Sequence, residues 1–324
     1  MTDCDLLRLE EYGSAETEMT LPIASVISST IEMVQRQVIS AALVYTSHER
    51  WPLPPAQTLP RTPLHISVLD SSFNPPTLAH LALTNAVNPL SPAPDYDAKL
   101  LLLSVRNADK AIGEGDATLS QRVEMMSLLA TRIHHSCSSP PNVAVGLVNE
   151  PTFIAKSSAL RRFLNGHLMR LTSGTSHAAS FQLTFLMGSS QYMHQIHLAQ
   201  EIRTHLMILG FDTLERVLAP RYYPSEEEMY RLLGIFLSQE GDDARIVCAR
   251  RCVNGRDNGI ESLPAVTPYL ESGRLAFIDI GRMQMQLSSS TLRTQCKDGI
   301  RTWPAATTVE ICGYIADNKL YHSI

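Results

Sequence analysis

From Leu64 onward, short apolar runs that suit strands alternate with amphipathic stretches that suit helices, and this order limits the fold more than any other feature of the chain. Residues 64–70 read as extended, 77–87 as helical, 99–104 as extended, 119–133 as helical and 142–148 as extended. Strands joined through helices cannot pair as hairpins, so they lie parallel and cross over with one hand. The pattern resumes with a strand at 205–209, a helix at 229–237, strands at 244–249 and 275–278, and two helices to the end. The expectation is an α/β, doubly wound parallel sheet of about five to six strands, with ligands at the carboxyl ends of the strands.

Two segments fall outside that rhythm. Before Leu64, apolar residues Ile27, Ile31, Val34, Val38, Ala41 and Tyr45 recur at helical spacing, and the proline-rich stretch 51–63 cannot continue a helix. Residues 1–63 are therefore expected to form an N-terminal extension with one amphipathic helix and a connector, ahead of a domain over 64–324. Within that domain, residues 156–203 include a Ser/Gly/Thr/His-rich patch and read as a variable insertion able to hide a strand.

The chain has 324 residues and a net charge of −5, so it has no general attraction for nucleic acid or anionic lipid, and any phosphate site must be local. The acidic residues Asp3, Asp5, Glu10, Glu11, Glu16 and Glu18 do not suit a secretory signal, and no apolar run is long enough to span a bilayer. A cytoplasmic or nuclear protein is expected. The six cysteines are scattered, without metal-knuckle or redox spacing, and His194, His197 and His205 have no nearby partner to complete a metal shell.

The chemistry-bearing residues cluster after the first of the alternating strands, in Asp70-Ser71-Ser72-Phe73-Asn74-Pro75-Pro76-Thr77-Leu78-Ala79-His80. A strand entering a turn and then a helix start gathers backbone N–H groups where a phosphate can bind. Thr77 and His80, three apart, share a helical face and could both donate to phosphate oxygens, although Thr-x-x-His alone also fits a cap and a packed histidine. A second group, Leu287-Ser288-Ser289-Ser290-Thr291-Leu292-Arg293, sets hydroxyls at a late helix start with a guanidinium about one turn on. A third, Gly210-Phe211-Asp212, pairs a glycine for close approach with a carboxylate for ribose hydroxyls. Met187-Gly188-Ser189-Ser190 is its rival and has no carboxylate. Lys110 could reach a phosphate, or could be solvated.

Together these strings resemble the eukaryotic nicotinamide mononucleotide adenylyltransferases of the nucleotidylyltransferase superfamily. Ser-Phe-Asn-Pro, one residue, then Thr-x-x-His is similar to the family's opening motif, the serine string through Arg293 to its late motif, and Gly210-x-Asp212 to the motif after its fourth strand. Arg122-Val123-x-Met125 and the stretch from Val309 through Tyr314-Ile315 to Leu320-Tyr321 extend the likeness over about 64–321. Asp-Ser-Ser-Phe-Asn-Pro-Pro and Gly-Phe-Asp-Thr-Leu point to the divergent fungal branch. Ser71 stands where the family usually has glycine, and neither Trp51 nor Trp303 stands where it stacks the acceptor ring.

The resemblance implies a Rossmann-like nucleotidylyltransferase fold and transfer of adenylyl from ATP, with Mg²⁺, to nicotinamide mononucleotide, forming NAD and pyrophosphate. It implies His80, Thr77 and Arg293 at the reacting phosphates, with Ser71, Ser72, Phe73, Lys110, Gly210, Asp212, Ser288, Ser289 and Ser290 around the nucleotide. Phe153 is the candidate stacking face for the acceptor, and a core phenylalanine is the competing reading. Phosphopantetheine or a polyol phosphate is an alternative acceptor. A nucleotide-binding or ATP-hydrolysing protein acting through partners is the alternative of a different class.

Overall fold

A computed structural model describes residues 22–55, 63–90, 96–106, 115–133, 142–172, 181–187, 214, 217–250, 252–253, 256–257, 266–300 and 302–321. Helix α1 (Ala24–Gln35) leads to strand β1 (Ala41–Thr46), then β2 (Leu64–Asp70), α2 (Leu78–Thr84), β3 (Ala98–Ser104), α3 (Leu119–Ala130), β4 (Val143–Val148), α4 (Phe153–Leu171) and β5 (Phe181–Met187). The second half supplies α5 (Glu226–Leu237), β6 (Arg245–Ala249), β7 (Leu275–Ile278), α6 (Ser289–Lys297) and α7 (Val309–Asp317). Thr118 and Gln121 form a capping box that starts α3, while Thr152, Ser225, Ser288 and Thr308 cap α4, α5, α6 and α7.

The sheet has seven strands in the order β1-β4-β3-β2-β5-β6-β7, and all neighbours are parallel except β1 with β4. Strands β2, β3 and β4 step outward one way and β5, β6 and β7 the other, so the winding reverses between β2 and β5. In open α/β sheets ligands bind at such a reversal, outside the strands' carboxyl ends. The sheet is covered on both faces, which explains why its strands read as continuous apolar runs. In β3, Leu100 and Leu102 enter the core under α4 and α5, whereas Leu101 and Leu103 enter the core under α1, α3 and α7. All four are at most 1% exposed, each contributing roughly 1.5–3 kcal/mol by burial.

Two expectations are corrected. The helical periodicity running to Tyr45 covers a helix and then a strand: α1 ends at Gln35, Gln37 has φ 59°, Val38 is exposed, and 41–46 pairs antiparallel with β4. The β-suited run Leu43-Val44-Tyr45-Thr46 there covers an otherwise open edge of β4. The fourth parallel strand is β5 at Phe181–Met187, within the stretch read as an insertion, whose first part forms α4. The strand expected at 205–209 lies outside the described residues. Both runs are apolar and strand-suited, and periodicity cannot choose between them.

Candidate active site

The turn after β2 leaves the sheet at the β2/β5 reversal. Ser71 N–H still donates to Leu102 O at 3.3 Å, whereas the N–H groups of Ser72 and Phe73 meet no partner among the described residues. Phe73 is fully buried with φ 44°, a left-handed conformation uncommon outside glycine. Its ring lies 5.2 Å from that of His80. Phe73 therefore supports the imidazole, and only its backbone could face a ligand.

At the start of α2 the Thr77 N–H donates to His80 Nδ1 at 3.0 Å. A nitrogen that accepts from an amide carries no proton, so the ring proton of the neutral imidazole is on Nε2 and points at Ser71 Oγ, 3.0 Å away. Thr77 Oγ1 lies 2.9 Å from Nδ1. Burial pushes the His80 pKa down to about 4, so the ring is neutral near pH 7. Ser71, Thr77 and His80 thus form one connected string. With α2 only seven residues long, the turn and the imidazole rather than a helix dipole supply its polarity.

The late serine string closes on this turn. Arg293 Nη1 donates to Asn74 O at 2.5 Å, Ser289 Oγ to Pro75 O at 2.7 Å and Thr307 Oγ1 to Pro76 O at 2.8 Å. Three successive carbonyls, two of them belonging to prolines, are clasped by side chains more than 200 residues away in the chain. Arg293 also lies 3.4 Å from Asp116 through Nε and 3.5 Å from Ser290 Oγ through Nη2. The Asn74 side chain donates to Asp116 at 2.7 Å and accepts from Ala117 N–H at 3.2 Å and Tyr321 OH at 2.8 Å.

This geometry sorts the expected residues. Ser71, Thr77, His80, Ser289, Ser290 and Arg293 gather at one turn, and Ser72 is exposed at its tip. Ser288 does not join them: it is buried, accepts from Thr291 N–H and donates to Thr291 Oγ1, so its hydroxyl is spent on the cap. Phe153 is corrected to a core residue, only 9% exposed and edge-on to Phe185 at 6.1 Å. Lys110, Gly210, Asp212 and the three histidines near 200 lie outside the described residues.

Several contributors were not singled out from sequence. Asn74, Asp116, Thr307 and Tyr321 build the clasp, and Tyr321 carried only a general family likeness. A further pair sits at the carboxyl end of β2, where Lys156 Nζ donates to Asp70 Oδ2 at 2.5 Å, with side chains 8% and 5% exposed. The same ammonium lies 5.0 Å from the Phe153 ring centroid. A strand-end carboxylate was the available signal for Asp70, whereas Lys156 reads as an ordinary helix-surface lysine.

A doubly wound sheet with a polar turn and helix start at its reversal point is the arrangement of nucleotide-binding α/β proteins. No family model matches the chain. A Schizosaccharomyces pombe protein, provisionally named a nicotinamide mononucleotide adenylyltransferase, is 30% identical over 190 residues, 59% of this chain and 55% of that one. The match thus spans about half the relative's length, and it meets the resemblance drawn from the motifs. Two structures of Plasmodium falciparum nicotinic acid mononucleotide adenylyltransferase, one complexed with APC and one with NaAD, are 12% identical. They cover 79% of this chain and 96% and 97% of their own, with TM-scores of 0.41 and 0.42, too slight a likeness to transfer a ligand or a reaction.

Proposed function

We propose that this protein is a nucleotidyltransferase that moves adenylyl from ATP to nicotinamide mononucleotide, releasing pyrophosphate and forming NAD. The observation that carries this reading is the clasp: two phosphate-type motifs far apart in the chain meet at one turn, with Arg293 on Asn74 O and Ser289 on Pro75 O. The likeness to the fission-yeast relative supports the same activity.

In the reaction, an acceptor phosphate oxygen forms a bond to the α-phosphorus as the bond to the β-bridging oxygen breaks, and pyrophosphate departs with the electron pair. No covalent enzyme intermediate is needed, so the chain's task is to position and neutralise. Neutral His80 offers Nε2–H to the developing charge by exchanging Ser71 for a phosphate oxygen, with Thr77 fixing the ring through Nδ1. Ser289, Ser290 and Arg293 lie where they can turn from the clasp toward the leaving pyrophosphate, and the open N–H groups of Ser72 and Phe73 face the same need. Among the described residues no three His, Cys, Asp or Glu side chains form a metal cage. Mg²⁺ would arrive on the triphosphate and neutralise phosphate charge there.

The test is pyrophosphate release from purified protein with Mg²⁺ and ATP, with and without nicotinamide mononucleotide, beside His80→Ala. Acceptor-dependent release that falls on the order of a hundredfold in the variant is expected. Nucleotide binding without acceptor-dependent release would favour the binding-protein alternative.

A further inference from the structure

Asp116 stands beside the clasp without a part in the chemistry above. Its Oδ1 accepts from Asn74 Nδ2 at 2.7 Å and lies 3.4 Å from Arg293 Nε, while Oδ2 lies 3.6 Å from Arg122 Nη2. Arg122 gives its Nε–H to Ala117 O at 2.9 Å and its side chain is 8% exposed, so that guanidinium is fixed from within the fold. Arg293 is placed differently. Its side chain and that of Asp116 are 21% and 23% exposed, so an anion in solution can reach the Arg293 guanidinium while the carboxylate is in place.

The carboxylate does two things to Arg293. It sets an oxygen against Nε, so Nη1 can leave Asn74 O for a phosphate while the guanidinium stays anchored, with Nη2 3.5 Å from Ser290 Oγ. An amide carbonyl in the same place would do that as well. It also lowers the positive charge that a second anion meets, which an amide would not. Two unit charges on either side of one guanidinium repel enough, in a partly screened surface site, to change affinity by about tenfold. The penalty rises with the charge of the incoming anion. When the bond to the α-phosphorus breaks, the bridging oxygen takes the electron pair and becomes a terminal oxygen of pyrophosphate, so the freed product is penalised more than the tail of bound ATP.

We propose that Asp116 is a positioning residue that acts through Arg293: its charge weakens the hold of that guanidinium on pyrophosphate, so that the leaving group departs after each transfer. This rests on the adenylyl-transfer reading for the identity of the anion. Replacing the carboxylate by a neutral group then tightens the site, whereas losing a carboxylate that only braces the turn would loosen it. The two roles differ in sign.

The experiment is calorimetric titration of the full chain with pyrophosphate in the presence of Mg²⁺, for the wild type, Asp116→Asn and Asp116→Ser, and for Asp116→Asn combined with Arg293→Ala beside Arg293→Ala alone. Asp116→Asn should bind pyrophosphate about tenfold more tightly than the wild type, and Asp116→Ser should shift in the same direction. The gain should vanish when Arg293 is absent, because the carboxylate acts through that guanidinium. In turnover with ATP and nicotinamide mononucleotide, Asp116→Asn should give a burst of NAD followed by slower cycles, as release of the product becomes limiting. Unchanged or weaker pyrophosphate binding in the neutral variants overturns the proposal, as does a gain that survives Arg293→Ala or the absence of binding in every chain. Either neutral variant's sign is decisive if the other fails to fold. Tighter pyrophosphate binding without acceptor-dependent release from ATP would overturn adenylyl transfer and leave the action of Asp116 on the anion site standing. Acceptor-dependent release with an unmoved pyrophosphate affinity would do the reverse.

Discussion

His80 ties the acid stability of the fold to the state of the candidate site. An unstrained histidine titrates near 6.5, and burial beside Phe73 brings this one to about 4. The depressed pKa means that the unfolded chain binds a proton more readily than the native one. The contribution is therefore present above about pH 6.5 and is lost as pH falls toward 4. A depression of that size corresponds to at most about 3 kcal/mol, less whatever solvent reaching the half-buried ring screens. Urea denaturation of the wild type and His80→Gln between pH 7.5 and pH 4 isolates the effect, because other titrating groups are common to both. The wild type should lose up to about 3 kcal/mol more than the variant across that window. Parallel curves would show that the imidazole is not held neutral by burial. If phosphates bind at Ser71 and His80, a non-hydrolysable ATP analogue should also raise the imidazole pKa, read by proton NMR of the ring. An unchanged titration in the saturated protein would remove His80 from the phosphate site.

The remaining predictions concern the clasp and the turn. Asn74→Ala leaves Asp116, Ala117 N–H and Tyr321 OH without their partner, and should cost roughly 2–4 kcal/mol in urea denaturation. Arg293→Ala should lower acceptor-dependent pyrophosphate release on the order of a hundredfold, and Arg293→Lys should recover only part, because a point charge cannot span Asn74 O and Asp116 together. Ser71→Ala removes the internal partner of His80 Nε2–H, a bond worth about 1 kcal/mol, and should tighten nucleotide binding about fivefold in an equilibrium titration. Weaker binding would mean that Ser71 contacts the nucleotide directly.

Much of the fold was legible because burial on both faces leaves a plain mark: β2, β3 and β7 are apolar runs flanked by turn chemistry, and α3 opens on the capping pair Thr118 and Gln121. Strand β1 was hidden because Ala41 and Tyr45, four apart, happen to continue the spacing of Ile27, Ile31 and Val34. The fourth parallel strand was misplaced because two strand-suited runs follow α4, and nothing local ranks Phe181–Met187 above the later one. In the site, hydroxyl and imidazole spacing announced Thr77, His80 and Ser289. What spacing cannot express is direction: Ser288 turns inward to cap while Ser289 turns outward to the turn, one residue apart. Asp70 with Lys156, and Asn74 with Tyr321, are pairings across 86 and 247 positions that exist only once the sheet and its covering helices are packed.

The clasp also sets the order in which a newly made chain can become competent. The turn at 71–77 is synthesised ahead of its partners, so its carbonyls wait for Ser289, Arg293 and Thr307, and Asn74 waits for Tyr321. Contacts of such long range form late in folding, after the cost of closing the intervening loop has been met. A fragment that stops short of Ser289 can possess every residue of the opening motif and still leave its carbonyls unclasped, because their partners lie more than 200 residues further along the chain.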